Sequence, residues 1–229
     1  MHSKRLIKDI CQILKNPLNN DGIFYKHDDE KINLGYCMII GPSDTPYQNG
    51  YYFFKFEYPE EYPFVPPKVT FYNNDKNTRF HPNLYRNGKV CLSILNTWNG
   101  EQWTSCQNIS SVLLTILSIL NDTPLLNEPG ITKSHRDYNN YNLLITFKNI
   151  EHSILSKLIN FVDSPSIFRC FKDELINHFT KSKQQIKEQI DKMEEFDKKE
   201  ISTSIYRMDT KLVYDTLVQK YKTVCNLYK

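Results

Sequence analysis

Glycine and proline are distributed so unevenly that they divide this chain of 229 residues into two parts. All seven glycines lie at or before Gly130, and ten of the eleven prolines lie at or before Pro129, which leaves only Pro165 beyond. Both residue types form turns and interrupt helices. The sequence therefore predicts a mixed, turn-rich first part and an almost wholly helical second part.

The first part contains the signals of one helix and four strands. Apolar residues at helical spacing predict an amphipathic helix over Lys4–Lys15. Turn dipeptides then separate four short segments that are rich in aromatic and β-branched residues. These predicted strands are Ile23–Tyr25, Asn33–Ile40, Tyr51–Glu57 and Lys68–Tyr72. Their close spacing favours an antiparallel meander.

A long segment without clear periodicity, Asn73–Asn108, follows the predicted strands. An irregular stretch of this length inside a compact domain is usually functional. After it, Ser110–Asn121 is so apolar that we expect a helix buried on most sides.

The second part begins with helix signals. Ser134, with Asp137 three residues later, resembles a capping box and predicts a helix or helix pair running to about Val162. Ser164 as N-cap and Pro165 at the first helical position predict a restart.

Towards the end of the chain, the charged stretch Glu194–Ser204 favours a loop. Asp209-Thr210 is then expected to open a final helix with Val213, Leu217 and Tyr221 on one face.

Composition excludes several classes of protein. The chain is 40% hydrophobic and 24% charged, and its net charge of +3 comes from interleaved acids and bases. This pattern does not indicate a nucleic-acid or membrane surface, and the apolar run Val112–Leu120 is too short to span a bilayer. The six cysteines form no regular framework and no Cys-x-x-Cys pair. We therefore expect free thiols, no metal site and a reducing compartment, the cytoplasm or nucleus, or a host cytoplasm if the source is viral.

Three motifs stand in a fixed order in the irregular region and just before it: Tyr62-Pro63-Phe64-Val65-Pro66-Pro67, then His81-Pro82-Asn83, then Gly88–Leu95 with Cys91. Together they resemble the signature of ubiquitin-conjugating enzymes. Further stretches are similar to the large Z-type branch of that family: Asn83–Trp98, Asn127–Gly130, Tyr138–Asn142 and Tyr214–Tyr228.

The resemblance implies an α+β fold. Its core would consist of an N-terminal helix, a four-stranded antiparallel meander, an active-site segment and a central helix over residues 1–150. An all-helical C-terminal extension, residues 151–229, would pack on that core.

The resemblance also implies a chemistry. Cys91 would carry ubiquitin or a ubiquitin-like modifier as a thioester and pass it to a lysine amine or to a ligase cysteine. Asn83 would stabilise the oxyanion or support the loop, and His81 would brace the active-site segment. Glu128 would orient the attacking lysine, with Asp122 and Asn127 as rivals for this role.

Partner surfaces follow from the same resemblance. An activating enzyme, which consumes the ATP, would meet Lys4, Arg5 and Lys8, and no cofactor would be bound. A RING or HECT-type ligase would contact Pro63, Phe64 and the loop after Trp103. That loop has Ser105 where the family commonly has proline, which makes the loop less stiff and puts ordinary RING pairing in doubt. The insertion between Trp98 and Trp103 lies close enough to Cys91 in sequence to shape access to it. We expect a monomer.

Two other readings share the fold. A catalytically silent adaptor would bind ubiquitin without thioester chemistry, although such proteins lack the cysteine. An enzyme dedicated to another modifier, such as SUMO or NEDD8, would keep it. A Cys–His hydrolase is disfavoured because it would destroy the thioester and because no second catalytic residue matches.

Overall fold

The computed structural model of the chain describes residues 4–72, 75, 77–161 and 165–229. Helix α1 spans Lys4–Lys15, as the sequence predicts, and buries Leu6, Ile10 and Ile13. These residues recur at three- and four-residue intervals, so they form one face of the helix. Pro17 lies just beyond its end, and a short 3₁₀ turn at Asn19–Asp21 leads into the sheet.

The four predicted strands form a single antiparallel sheet. They are β1 (Ile23–His27), β2 (Leu34–Ile40), β3 (Tyr51–Glu57) and β4 (Lys68–Tyr72), and they are paired in the order β1-β2-β3-β4. The predicted meander is therefore confirmed. Most residues of β2 and β3 are buried irrespective of the face on which they lie. Both faces of the sheet must consequently be covered by other elements.

Between the sheet and the next helix, the described residues contain little regular structure. Isolated bridges pair Thr70 with Lys89 and Leu84 with Val90, and one 3₁₀ turn covers Ser93–Leu95. Helix α2 then spans Ile109–Ile119, close to the predicted bounds. Its N-cap is Asn108, whose side chain accepts from the backbone N–H of Ser111 in a capping box.

The second part begins with a continuous helical stretch: α3 (Tyr138–Lys148), a π-helical segment (Asn149–Ser156) and α4 (Lys157–Ile159). The predicted capping box at Ser134 is wrong. Ser134 lies in a turn, and the N-cap residue is Asp137. The Asp137 carboxylate instead accepts hydrogen bonds from distant Ser204 and Ile205. Residue 150, the expected domain boundary, lies inside this helical stretch.

The predicted helix restart falls partly outside the described residues, which exclude Val162 and Ser164. Pro165 precedes a 3₁₀ segment, Ser166–Phe171, and helix α5 spans Lys172–Asp191. The C-terminal helices of the expected fold are thus present.

The sequence did not predict a short hairpin in the extension. Strands β5 (Glu200–Thr203) and β6 (Met208–Lys211) pair in an antiparallel manner where a loop and a helix start were expected. Helix α6 begins only at Tyr214 and ends at Leu227. Each strand has four residues, and burial alternates along β5, which is a weak signal in so short and charged a segment.

The extension packs directly on the sheet. Phe168 lies with its ring centroid 4.9 Å from that of Phe53 and 5.0 Å from that of Tyr72. On α5, His178 contacts Tyr51 edge to face, and Gln189 accepts a hydrogen bond from Asn49. Buried apolar residues from α1 through α6 form one continuous cluster. Among the described residues, none of the helices is sufficiently long and apolar to traverse a bilayer.

Candidate active site

The segment that carries Cys91 is aligned along β4. The backbone N–H of Phe71 donates to the carbonyl of Gly88 over 2.8 Å. Gly88 has a φ of +89°, and a Cβ at this position would lie 2.8 Å from the Phe71 carbonyl oxygen. Both the backbone angle and the close approach require glycine. Gly88 thereby fixes the path of the chain three residues before Cys91.

Hydrogen bonds hold the backbone on both sides of Cys91. Its N–H donates to the Asn83 carbonyl over 2.9 Å. The Thr97 hydroxyl donates to the carbonyl of Val90 and accepts from the N–H of Leu92, both over 2.9 Å. Cys91 is a free cysteine and is only 1% exposed.

The loop between Trp98 and Trp103 folds back onto Ser93. A Cβ built on Gly100 would lie 3.1 Å from the Cβ of Ser93, and Gly100 has a φ of +131°. The side chain of Gln102 donates to the carbonyls of Trp98 and Gly100, which closes the loop on itself. The loop therefore packs against Ser93, which is two positions after Cys91 in the chain.

Asn83 and His81 form one hydrogen-bonded unit with Cys91. The Asn83 side-chain amide donates to the Cys91 carbonyl over 2.7 Å, and the Asn83 N–H donates to Nδ1 of His81 over 3.0 Å. Asn83 Oδ1 is buried and has no hydrogen-bond partner among the described residues. This unit holds the two sides of the segment together, although Asn83 and Cys91 are eight positions apart in the chain.

His81 is completely buried and uncharged near neutral pH. Burial and, to a smaller extent, the Arg79 charge lower its pKa to about 3, against the opposing effect of the Ile119 carbonyl. Because Nδ1 accepts the Asn83 N–H, the proton of the neutral ring lies on Nε2. The ring nitrogen next to Asn83 is thus already occupied and does not serve as a base for Cys91.

The three candidates for lysine orientation have different surroundings. Glu128 follows the 3₁₀ turn Pro124–Asn127 after α2, is half-buried, and accepts a hydrogen bond from the Tyr206 hydroxyl. Asp122 is exposed, and the Thr123 hydroxyl donates to its carboxylate over 3.4 Å. The Asn127 side-chain amide donates to the Pro124 carbonyl. Of the two carboxylates, Glu128 is the one held by a distant element.

The three basic residues of α1 are not equivalent. Lys4 and Lys8 are exposed. Arg5 is half-buried, forms an ion pair with Asp9 at 2.8 Å, and donates to the carbonyls of Ser105 and Gln107. Sequence reasoning gave Arg5 only a partner surface. These two hydrogen bonds also anchor the loop that contains Ser105 to α1.

The residues of the expected ligase surface differ in exposure. Phe64 is 82% exposed, and Ser105 is exposed in the loop held by Arg5. Pro63 is buried, and its carbonyl accepts a 2.7 Å hydrogen bond from the indole N–H of Trp103. The Trp103–Pro63 bond thereby brings the two segments of this surface together.

Sequence reasoning missed a contact between the active-site segment and the hairpin. The guanidinium of Arg79 lies 3.3 Å from the ring centroid of Tyr85 and 4.9 Å from that of Tyr206. Arg79 also donates to the carbonyls of His81 and Pro82. Nothing in the sequence indicates this arrangement, because Arg79 and Tyr206 lie in different parts of the chain and meet only in the folded molecule.

A groove of about 650 Å³ runs beside the active-site segment. Its walls come from three stretches: Val65–Thr70, Asn87–Val90 and Leu95–Thr97. Val90, the residue before Cys91, is one of its lining residues.

Comparison with known proteins identifies relatives over most of the chain. The profile of the family described as "Ubiquitin-conjugating enzyme" matches residues 5–148. Ubiquitin-conjugating enzyme E2 Z of Xenopus tropicalis is 40% identical over 168 residues, which cover 72% of this chain and 53% of that protein. The Homo sapiens E2 Z is 42% identical over 153 residues, 66% of this chain and 43% of that protein.

A larger human protein is also similar. The dual E2 ubiquitin-conjugating enzyme/E3 ubiquitin-protein ligase BIRC6 is 36% identical over 176 residues, which cover 70% of this chain but 3% of that protein. The matched region spans about half the length of the E2 Z relatives. The predicted resemblance to the Z-type branch is confirmed.

Proposed function

Because the chain belongs to the ubiquitin-conjugating enzyme family, we propose that it carries ubiquitin or a ubiquitin-like modifier as a thioester on Cys91 and transfers it to a lysine amine or a ligase cysteine. The observation that carries this proposal is the hydrogen-bonded unit of His81, Asn83 and Cys91, which fixes a free cysteine at the centre of the irregular segment.

The first step is exchange of one thioester for another. The Cys91 sulfur attacks the thioester carbonyl on the activating enzyme, a C–S bond forms as another breaks, and the activating cysteine leaves with the proton. Such exchange is nearly neutral in free energy and needs an accessible thiol more than a strong base. Since Cys91 is 1% exposed in this structure, the reaction requires the thiol to become more accessible when the activating enzyme docks.

The second step is attack by a lysine amine. The nitrogen–carbon bond forms, the carbon–sulfur bond breaks, and negative charge develops on the carbonyl oxygen before Cys91 leaves. A well-placed amide donor lowers such a barrier by about 3 kcal/mol. In the resting structure the Asn83 amide donates to the Cys91 carbonyl. Loop support is therefore its role at rest, and oxyanion stabilisation requires the amide to turn towards the thioester.

His81 is assigned a supporting role. Its neutral ring accepts the Asn83 N–H and thereby sets the backbone that presents the Asn83 amide. A Cys–His hydrolase dyad would need a ring nitrogen directed at the sulfur. The engagement of Nδ1 by Asn83 argues against that chemistry.

Partners follow from the exposed residues. Lys4 and Lys8 offer the basic edge of α1 to an activating enzyme, and the exposed Phe64 ring with the neighbouring polar Ser105 loop offers a surface to a ligase. ATP is consumed by the activating enzyme, so this chain needs no bound cofactor. The free cysteines favour a reducing compartment such as the cytosol or nucleus.

One observation favours a second candidate function, the silent ubiquitin-binding adaptor. A thiol that is 1% exposed is what a misassembled or closed site would show. The adaptor reading requires that Cys91 stay covered in the presence of the activating enzyme, which a charging assay tests directly.

In this assay, the purified chain is mixed with ATP, ubiquitin and, in turn, each of two different ubiquitin-activating enzymes. The products are separated on non-reducing gels. We expect a thiol-sensitive adduct on the natural chain and a thiol-resistant adduct, or none, on Cys91→Ser. Parallel reactions with SUMO and NEDD8 and their activating enzymes identify the modifier. If the chain charges with none of the modifiers, the ubiquitin-binding adaptor remains as its function.

A further inference from the structure

The tip of the β5–β6 hairpin, Ile205–Arg207, is fastened to the start of α3. The Asp137 carboxylate accepts from the Ser204 hydroxyl over 2.7 Å and from the Ile205 N–H over 2.9 Å. Burial would raise the pKa of Asp137, but these hydrogen bonds outweigh it and lower the pKa. The carboxylate therefore stays charged and holds the tip near neutral pH.

From this anchored tip, Tyr206 reaches both parts of the proposed active site. Its hydroxyl donates to Oε2 of Glu128, and its ring lies over the guanidinium of Arg79. The Tyr206 carbonyl accepts a hydrogen bond from Arg86. Burial, with the hydrogen bond to Glu128 in addition, raises the pKa of Tyr206 well above its ordinary value. The hydroxyl thus remains a donor at any physiological pH.

An unbroken series of contacts connects Glu128 to Cys91 through this tyrosine. Tyr206 contacts Arg79, and Arg79 donates to the carbonyl of His81. His81 bonds to Asn83, and Asn83 bonds to Cys91, as described above. The hairpin tip is thus the element that connects the turn after α2 with the segment bearing the cysteine.

The backbone at the tip adopts an uncommon conformation. Tyr206 and Arg207 have φ values of +61° and +48°, so two consecutive residues other than glycine occupy the left-handed region. The packing around Tyr206 keeps them there: the ring also meets Tyr141 edge to face at 6.1 Å between centroids. The conformation directs the Tyr206 hydroxyl to Glu128.

We propose that Tyr206 is a positioning residue for lysine transfer: its hydroxyl holds one oxygen of the Glu128 carboxylate, so that the other oxygen orients the attacking amine. This inference rests on the proposed function. In the step concerned, the neutral lysine nitrogen bonds to the thioester carbon, the bond from carbon to Cys91 sulfur breaks, and the proton lost by nitrogen ends on that sulfur. Formation of the thioester involves no amine and does not need Tyr206.

The decisive variant is Tyr206→Phe, which removes the hydroxyl and keeps the ring against Arg79 and Tyr141. Tyr214→Phe is the matched control, because the Tyr214 hydroxyl also bonds a carboxylate, that of Asp191, on another part of the extension. Each variant is charged with the active modifier, ATP is removed, and loss of the thioester is followed after free lysine is added. The rate of charging and the thermal midpoint are measured separately.

We expect Tyr206→Phe to charge at the natural rate, to keep its thermal midpoint, and to discharge to lysine about three- to tenfold more slowly, the usual effect of one lost hydrogen bond. Glu128→Gln should also slow discharge, and the double variant should be no slower than Glu128→Gln alone. Tyr214→Phe should behave as the natural chain.

Three outcomes overturn the inference. Discharge of Tyr206→Phe at the natural rate would reduce Tyr206 to a structural contact, and faster discharge would make it an inhibitor. A double variant that is slower by the product of the two single effects would separate Tyr206 from Glu128. A natural chain that fails to charge with any modifier would remove the proposed function itself, a result distinct from all three.

Discussion

Among single residues, Asn83 makes the most informative contacts, because one side chain joins the two sides of the active-site segment. Its amide bonds the carbonyl of Cys91, and its backbone bonds His81. Both bonds are buried, where an unpaired polar group is costly. Substitution of this residue should therefore affect both the geometry of the cysteine and the stability of the protein.

We expect Asn83→Ala to slow discharge to lysine at least about tenfold, since oxyanion donors typically contribute that much or more. Charging should change far less, because thioester exchange depends less on such a donor. The buried Cys91 carbonyl would lose its partner, at a cost of about 1–3 kcal/mol in the free energy of unfolding. Single-turnover assays and urea denaturation measure these effects.

Asn87→Ala is the control, since Asn87 is exposed in the same segment and bonds only the nearby Lys89 N–H among the described contacts. Equal losses in charging and discharge for Asn83→Ala would contradict the prediction.

The burial of Cys91 predicts an order of thiol reactivity. Cys11 and Cys106 are exposed, Cys37 is buried within strand β2, and Cys91 is buried within an irregular segment. Burial also raises the pKa of Cys37. Because a loop opens more readily than a sheet, alkylation of Cys91 should be slower than that of Cys11 and faster than that of Cys37. A time course of peptide masses after N-ethylmaleimide treatment measures the order, and labelling of Cys91 as fast as Cys11 would count against the closed resting state.

Among the secondary-structure elements, α5 carries the clearest pH-dependent contact. His178 lies between the Tyr51 hydroxyl, 3.0 Å from Nδ1, and the Ser182 hydroxyl, 3.1 Å from Nε2. Burial lowers its pKa to about 4, and the Lys181 charge adds to the shift. The ring is therefore neutral wherever α5 is docked on the sheet near neutral pH.

This contact should make stability fall on acidification. Below the ordinary pKa of 6.5 the unfolded chain takes up a proton at His178 that the folded chain refuses until about pH 4. The contribution of the neutral His178 ring to the free energy of unfolding is fully present above pH 6.5 and is lost as the pH falls towards 4. It amounts to about 2 kcal/mol after allowance for partial exposure. His178→Gln should reduce the pH dependence in this interval, as measured by urea denaturation at each pH. An unchanged pH dependence would refute the assignment.

How much the sequence predicts depends on the strength of each local pattern. The predicted bounds of α1, β3 and β4 agree with the structure because their apolar residues are numerous and regularly spaced. The prediction of a helix N-cap at Ser134 was wrong. Distant Ser204 and Ile205 donate hydrogen bonds to Asp137, and these bonds fix the start of the helix near Asp137. No local pattern could reveal this.

The same limit applies to the candidate site. His81, Asn83 and Cys91 lie within one short segment, so a motif captures them together, and the structure does place them in one hydrogen-bonded unit. The contacts of Tyr206 with Glu128 and Arg79 depend on tertiary packing between distant parts of the chain. Contacts of this kind leave no periodicity or spacing in a single sequence.

For the whole molecule, the continuous apolar cluster predicts cooperative behaviour. The chain has two tryptophans, Trp98 and Trp103, and both precede the helical extension. Since buried residues from α1 through α6 share one cluster, the extension and the sheet should unfold together. Urea transitions followed by tryptophan fluorescence and by far-ultraviolet circular dichroism should coincide. A first transition seen only in circular dichroism would show that the extension is a separate folding unit.

The aromatic contact between the extension and the sheet has a practical consequence for anyone who shortens this protein. Phe168 covers Tyr36, Phe53 and Tyr72. A version that ended near residue 159 would expose these rings to water as a contiguous apolar surface, and such surfaces drive aggregation. A soluble minimal version would therefore need polar replacements on this side of β2, β3 and β4, and simple truncation would give inclusion bodies.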